Sequence, residues 1–164
     1  IDIGGWDSLY AFGNPPPHLL EGEIARFAPW LVWHALVSPL LDFHTANAVA
    51  EGDGTWRIRA VVQNTGWLPT YVTKHALATR AVRGVRLEIA LPDGARLLSG
   101  KSTHDVGQLE GRAYKPSAPT RRPADQTDDR VKVEWIVGAP AGSTISLVAS
   151  HPRAGTVRRL VTLE

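Results

Sequence analysis

The side chains with which this chain could do chemistry are six histidines, its acidic residues and a scatter of hydroxyls, and their spacing decides what each can do. The histidines stand at 18, 34, 44, 75, 104 and 151, on different elements and at spacings that fit no metal motif; no His-x-x-Glu occurs. His34 follows Leu31 by three residues on an apolar helical face, where a hydrogen-bonded core residue is a simpler reading than a ligand, and His18 reads as a helix-start residue. His44, His75, His104 and His151 fall in strands or loops and read as solvated or structural. Ser102, His104 and Asp105 compose a triad on paper, but near neighbours along one strand or loop cannot converge their side chains as a triad requires. Asp125, Asp128 and Asp129 lie in a mixed-charge run whose spacing matches no standard calcium loop, so a solvated loop is the plainer reading. No metal ligand set is therefore expected in this chain.

Binding is the other chemistry to weigh. Asn64-Thr65-Gly66 has the residue types of a tight turn with positive φ. Trp67, Pro69 and Tyr71 follow it at a strand edge. Trp67 and Tyr71 either form a platform for carbohydrate or peptide, or cap the sandwich or pack on a neighbouring domain.

These residues must be positioned by elements of two kinds. Leu20, Ile24, Phe27 and Leu31 recur at helical spacing, so His18 to Val37 reads as one long helix, opened by Asn14-Pro15-Pro16-Pro17 and ended near Pro39. Glu21 and Glu23 lie near its start, where the helix dipole favours negative charge. Pro29 interrupts its interior. Trp30 and Trp33 add a second apolar direction, so the helix expects two neighbours, the following domain and another one.

From Phe43 the period changes to two. Trp56, Ile58, Ala60 and Val62 alternate with Arg57, Arg59, Val61 and Gln63; Val85, Leu87, Ile89 and Leu91 alternate with Arg86, Glu88 and Ala90. Val131 to Val137, Ile145 to Ala149 and Thr156 to Leu163 repeat the pattern. Turn signals at Gly52-Asp53-Gly54, Asn64-Thr65-Gly66, Pro92-Asp93-Gly94 and Ala139-Pro140-Ala141-Gly142 divide the strands, with no helix of useful length between them. The fold class that follows is mainly β: an antiparallel, immunoglobulin-like or prealbumin-like β-sandwich preceded by one long helix. Trp56, Ile58, Val62, Leu87, Ile89, Val133, Trp135 and Leu147 should face inward, and Arg57, Arg59, Arg86 and Glu88 outward. Pro116 to Arg130 reads as a long mobile loop.

The segments Ile1-Asp2-Ile3-Gly4-Gly5-Trp6 and Asn14-Pro15-Pro16-Pro17-His18-Leu19-Leu20, with the Trp-rich helix, carry a resemblance. They resemble the end of the catalytic domain in a bacterial branch of the zinc carboxypeptidases, the carboxypeptidase A-like family. Val61-Val62-Gln63-Asn64-Thr65-Gly66-Trp67-Leu68-Pro69-Thr70-Tyr71-Val72 looks like the β-domain appended to those enzymes. The resemblance implies a terminal strand and helix of an upstream peptidase domain over residues 1–40 and a β-sandwich accessory domain over 41–164. It also implies a parent enzyme that removes C-terminal residues from peptides with a zinc held by His-x-x-Glu and a distant His, none of which is present here. Asp2 takes, by register, the place of the general base, where the family carries Glu; the alternative is an ordinary strand-end carboxylate beside a Gly-Gly turn.

Composition limits the rest. The chain has 164 residues, room for one main core, and neither Met nor Cys, so it reads as a C-terminal piece of a larger protein without disulfides or thiolate chemistry. Its net charge of +2 argues against a nucleic-acid surface. No apolar run approaches the roughly 20 residues of a membrane span, so no membrane partner is expected. The implied partners are the upstream peptidase domain of the same polypeptide and the parent's peptide substrate. An unpaired Ile1 to Phe12 strand and an uncovered apolar strip on the helix would promote self-association. The functional expectation is a non-catalytic accessory domain of a zinc carboxypeptidase-like enzyme, and the alternative is an independent β-sandwich module that binds carbohydrate or protein.

Overall fold

Alternation of apolar and polar residues over two-residue periods builds two four-stranded sheets with every pairing antiparallel. The structure is a computed structural model and describes residues 4–5, 15–114 and 128–164. The chain divides into two units, one ending at Val37 and one spanning Ser38–Glu164.

The first unit contains two helices, α1 (Pro17–Ala25) and α2 (Phe27–Leu36), where the sequence pattern reads as one. Pro29 explains the difference. Its ring collides with the carbonyl four residues earlier, at Ala25, and it brings no N–H to bond there. The helix therefore ends at Ala25 and restarts at Phe27, which places Pro29 in the first turn of α2, where its missing N–H has no partner to lose. The Pro15-Pro16-Pro17 start is as expected, with Pro17 the first helical residue. Glu21 lies beyond the first turn, and Glu23 pairs with Arg26 at the break. Neither helix buries a residue.

The second unit is the β-sandwich. One sheet has the order β1-β2-β6-β4, from β1 (Leu41–Gly52), β2 (Thr55–Asn64), β4 (Arg96–Ser99) and β6 (Arg130–Gly138). The other has the order β5-β3-β7-β8, from β3 (Arg86–Ala90), β5 (Thr103–Asp105), β7 (Thr144–His151) and β8 (Gly155–Thr162). A five-residue helix, α3 (Lys74–Ala78), joins β2 to β3. β4, β5 and α3 are too short to leave a period in the sequence.

All eight residues expected inside are buried, Ile58, Val62, Leu87 and Leu147 completely. Arg57, Arg59 and Arg86 are exposed, and Glu88 is half-buried. Each buried indole also satisfies its N–H: Trp56 Nε1 donates to the Ala139 carbonyl at 2.9 Å and Trp135 Nε1 to the Lys101 carbonyl at 2.7 Å. The segment that supplies the second acceptor passes over the Trp135 ring at Gly100, whose φ is +101° and where a Cβ would stand 2.8 Å from Trp135 Cδ1. Only glycine meets both conditions. His104 completes this corner, its ring edge-on to Trp135 at 5.6 Å.

The contrast between the buried and exposed tryptophans is measurable. Trp135→Ala should lower unfolding stability by about 3–5 kcal/mol, whereas Trp67→Ala, at an exposed ring, should stay within about 0.5 kcal/mol. Urea denaturation of both variants checks this; equal losses would contradict the packing described.

Candidate functional site

The inward face of β2 runs Trp56, Ile58, Ala60, Val62 and then Asn64, a polar side chain at the last position of an apolar row. Asn64 is 1% exposed, and burying a carboxamide is costly unless its hydrogen bonds are made. All four are. Its Oδ1 accepts from the Leu40 and Gly66 amides, each at 3.0 Å, and its Nδ2 donates to the Leu68 and Glu110 carbonyls at 2.8 and 3.1 Å. Its own N–H donates to the Asp129 carbonyl at 2.9 Å. One side chain thus ties the entry to β1, the loop after β2 and the segment around Glu110 into a single end of the sandwich.

Gly66 is demanded by contact rather than by φ. The expected positive-φ turn is absent, and a Cβ at Gly66 would instead collide with the Ser38 carbonyl and lie 2.7 Å from Pro39 Cα. Across the loop, Gly111 lets the 110–113 backbone approach Trp67 and Leu68, where Arg112 and Ala113 donate to the Gly66 and Trp67 carbonyls at 3.0 Å. Thr70, fully buried, exchanges backbone and hydroxyl bonds with Leu109 and donates to Gln108 Oε1 at 2.7 Å. The Tyr71 hydroxyl sits 2.9 and 3.0 Å from the two Glu110 carboxylate oxygens. Val72 follows in a left-handed conformation, φ +64°, enclosed by a Thr73 N–H to Tyr71 carbonyl bond of 2.8 Å. A β-branched residue rarely adopts that region, and it persists only where its surroundings over-determine it.

The two aromatics read from the sequence as a binding pair have different fates. Trp67 is 54% exposed on this backbone-braced loop, whereas Tyr71 is 4% exposed, and its phenol is committed to Glu110. They do not form one platform. Asp2 and Asp125 lie outside the described residues. Asp128 is exposed, and Asp129 is buried with its Oδ1 3.6 Å from Arg130 Nε. Among the described residues no group of three or more histidine or acidic side chains is placed to hold a metal ion. His18, His34, His44 and His75 are exposed. Asp105 Oδ1 accepts from the Gly107 amide at 3.1 Å, turned to the opposite strand face from His104.

His151 is buried, and its Nδ1 accepts from the Arg153 and Ala154 amides at 3.1 and 3.2 Å, shaping the β7–β8 hairpin. Burial, opposed by a backbone hydrogen bond at Arg83 and reinforced by the Arg83 and Arg153 charges, lowers its pKa below the ordinary 6.5. The neutral ring is thus the structural form.

Sequence reasoning missed the Asn64 junction, although the parity of β2 marks it: an Asn that continues an inward row has to be satisfied or excluded. It also missed a groove beside α3, lined by Leu77, Arg80, Val82, Arg83, Gly84, Asp105, Gly107 and Gln108, with a volume of about 410 Å³. Its signal is Lys74 to Arg86, with four cations and no carboxylate.

Residues 40–162 match the model of a domain family described as "Domain of unknown function (DUF8731)", and the chain belongs to that family. Among solved structures it is similar to the GAE domain of GGA2p from Saccharomyces cerevisiae, at 14% identity and a TM-score of 0.36, over 76% of this chain and 88% of that one. No curated protein matches the chain.

Two predictions follow from the polar interior. Asn64→Ala strands two amides and two carbonyls and should cost at least about 3 kcal/mol; Asn64→Asp should not restore stability, since a carboxylate cannot donate to Leu68 and Glu110. Chemical denaturation of the two variants reads this out. For His151 the folded pKa is the lower one, so its contribution is complete above about pH 6.5 and declines as pH falls, because the unfolded chain takes up a proton that the folded chain refuses. Stability measured from pH 7 to about pH 5.5 should fall in the native chain and fall less in His151→Asn.

Proposed function

We propose that this member of the DUF8731 family is a non-catalytic accessory module of a zinc carboxypeptidase-like enzyme, attached to the peptidase domain of the same polypeptide through α1 and α2. The observation that carries the reading is where the apolar surface lies. Leu20, Ile24, Phe27, Trp30, Leu31 and Trp33 are 38–61% exposed, a concentration of large apolar side chains that the helical unit does not cover by itself. An apolar surface of this kind marks an interaction site. A covering domain would remove it from water at about 25 cal/mol per Å². The identity of that domain rests on the resemblance of the 1–20 and 61–72 segments to the carboxypeptidase A-like family. The described residues do not fit a zinc site, having no His-x-x-Glu and no acidic or histidine cluster, so the metal would belong to the peptidase domain. Asp2 is the one residue of this chain that the proposal gives a chemical role, as the carboxylate that takes the proton from the attacking water.

A second reading, an independent module that binds carbohydrate or protein, is favoured by one feature: Trp67 is held out to solvent by a loop whose backbone is fixed. A pre-ordered aromatic loses little entropy on binding.

The full-length gene product tests the first reading. It should hold one zinc per chain and release C-terminal residues from peptides. Asp2→Asn should abolish release while leaving the zinc in place, and deletion of residues 38–164 should spare both. A protein without zinc or hydrolysis, or a zinc lost with the deleted sandwich, would overturn the proposal.

A further inference from the structure

The groove beside α3 has the makings of a binding site independent of any upstream domain. Its volume, about 410 Å³, suits a small organic molecule. Its wall is built from chain segments in close approach: a Cβ on Gly84 would collide with Asp105 and stand 2.8 Å from Gly107 Cα, and the Val85 and Val106 amides donate to the Gly107 and Val85 carbonyls at 2.7 and 2.9 Å. Gln108 fastens the same wall, its Nε2 donating to the Val82 and Arg83 carbonyls at 2.9 and 3.1 Å while its Oε1 accepts from Thr70. Arg80 enters from the end of α3 in a left-handed conformation, φ +52°, which fixes where its side chain departs.

The polar inventory of the groove leaves two groups over. Gln108 is fully engaged, and the Gly107 amide is taken by Asp105 Oδ1 at 3.1 Å. Arg80 and Arg83 make no ion pair with any described carboxylate. Leu77, 45% exposed, and Val82 supply the apolar part. Among the lining side chains, two guanidinium groups against the Asp105 carboxylate leave one net positive charge, which a monoanion balances; Arg86, opposite Asp105 across the β3–β5 pair, has Glu88 at 3.9 Å as its own counter-charge.

We propose that this groove binds a small amphipathic carboxylate, the head between Arg80 and Arg83 and the apolar body against Leu77 and Val82. A guanidinium fork matches a planar carboxylate in a bidentate manner. Solvent exposure of both arginines keeps the affinity modest and salt-dependent.

The test is a titration of the isotope-labelled 164-residue chain, followed by amide resonances, with N-acetyl-leucine, its neutral amide and inorganic phosphate as probes. N-acetyl-leucine should shift amides of residues 77–84 and 105–108. The neutral amide and phosphate should each bind at least about tenfold more weakly. Arg80→Gln with Arg83→Gln should weaken N-acetyl-leucine by a similar factor without lowering the melting temperature. Shifts confined to other residues, no shifts at all, equal binding of the neutral amide, or tighter binding of phosphate would each overturn the proposal. The comparison of probes needs no variant and stands even if a substituted chain fails to fold.

Discussion

The loop end of the sandwich depends on one buried carboxamide. A primary amide has two donors and room for two acceptances, and Asn64 uses all four on backbone groups of four different residues. Those groups lie where β1 begins, where β2 ends and where the chain returns through Glu110, places that an antiparallel ladder cannot reach because their strands have run out. Without Asn64 these buried and part-buried groups would lose their hydrogen bonds. With it, three irregular segments share a single rigid arrangement, and Gly66 and Gly111 provide the clearance that lets their backbones touch. Satisfied polar junctions of this kind specify one arrangement where apolar packing alone would accept several.

The same constraint connects the fold to both proposed binding features. Trp67 reaches solvent from a backbone pinned on either side by Asn64 and by the Arg112 and Ala113 amides. The groove beside α3 shares Gln108 with the buried Thr70 hydroxyl, so its wall is an extension of the same hydrogen-bonded end. His151, accepting from its own hairpin, closes the neighbouring β7–β8 turn, and Arg153 from that hairpin donates to the Tyr71 carbonyl at 3.2 Å. Loops held still by a scaffold in this way are where recognition is commonly carried.

Much of this was legible beforehand, for reasons that can be named. The sandwich core follows from period-two alternation, and Trp56, Ile58, Trp135 and Leu147 could only face inward. The rest was hidden by its physics. Pro29 announced an interruption, but its consequence falls three residues earlier, because the clash is with a carbonyl of the preceding turn. Gly66 looked like a turn glycine, yet it answers a contact with Ser38 and Pro39 some 28 residues away, which no local pattern encodes. Tyr71 sat among apparent platform residues, and its burial depends on Glu110, 39 residues on. Arg80 and Arg83 line a groove only because the 105–108 segment returns beside them. Local periodicity carries the strands; close approach of distant segments carries the polar junction and the groove.

The central functional claim is that the apolar side chains of α1 and α2 are covered by another domain of the same polypeptide. Hydrogen–deuterium exchange of residues 17–36, compared between the full-length protein and the 164-residue chain, tests it most directly. These amides should be strongly protected in the full-length protein and exchange rapidly in the shorter chain. Equally rapid exchange in both would contradict it.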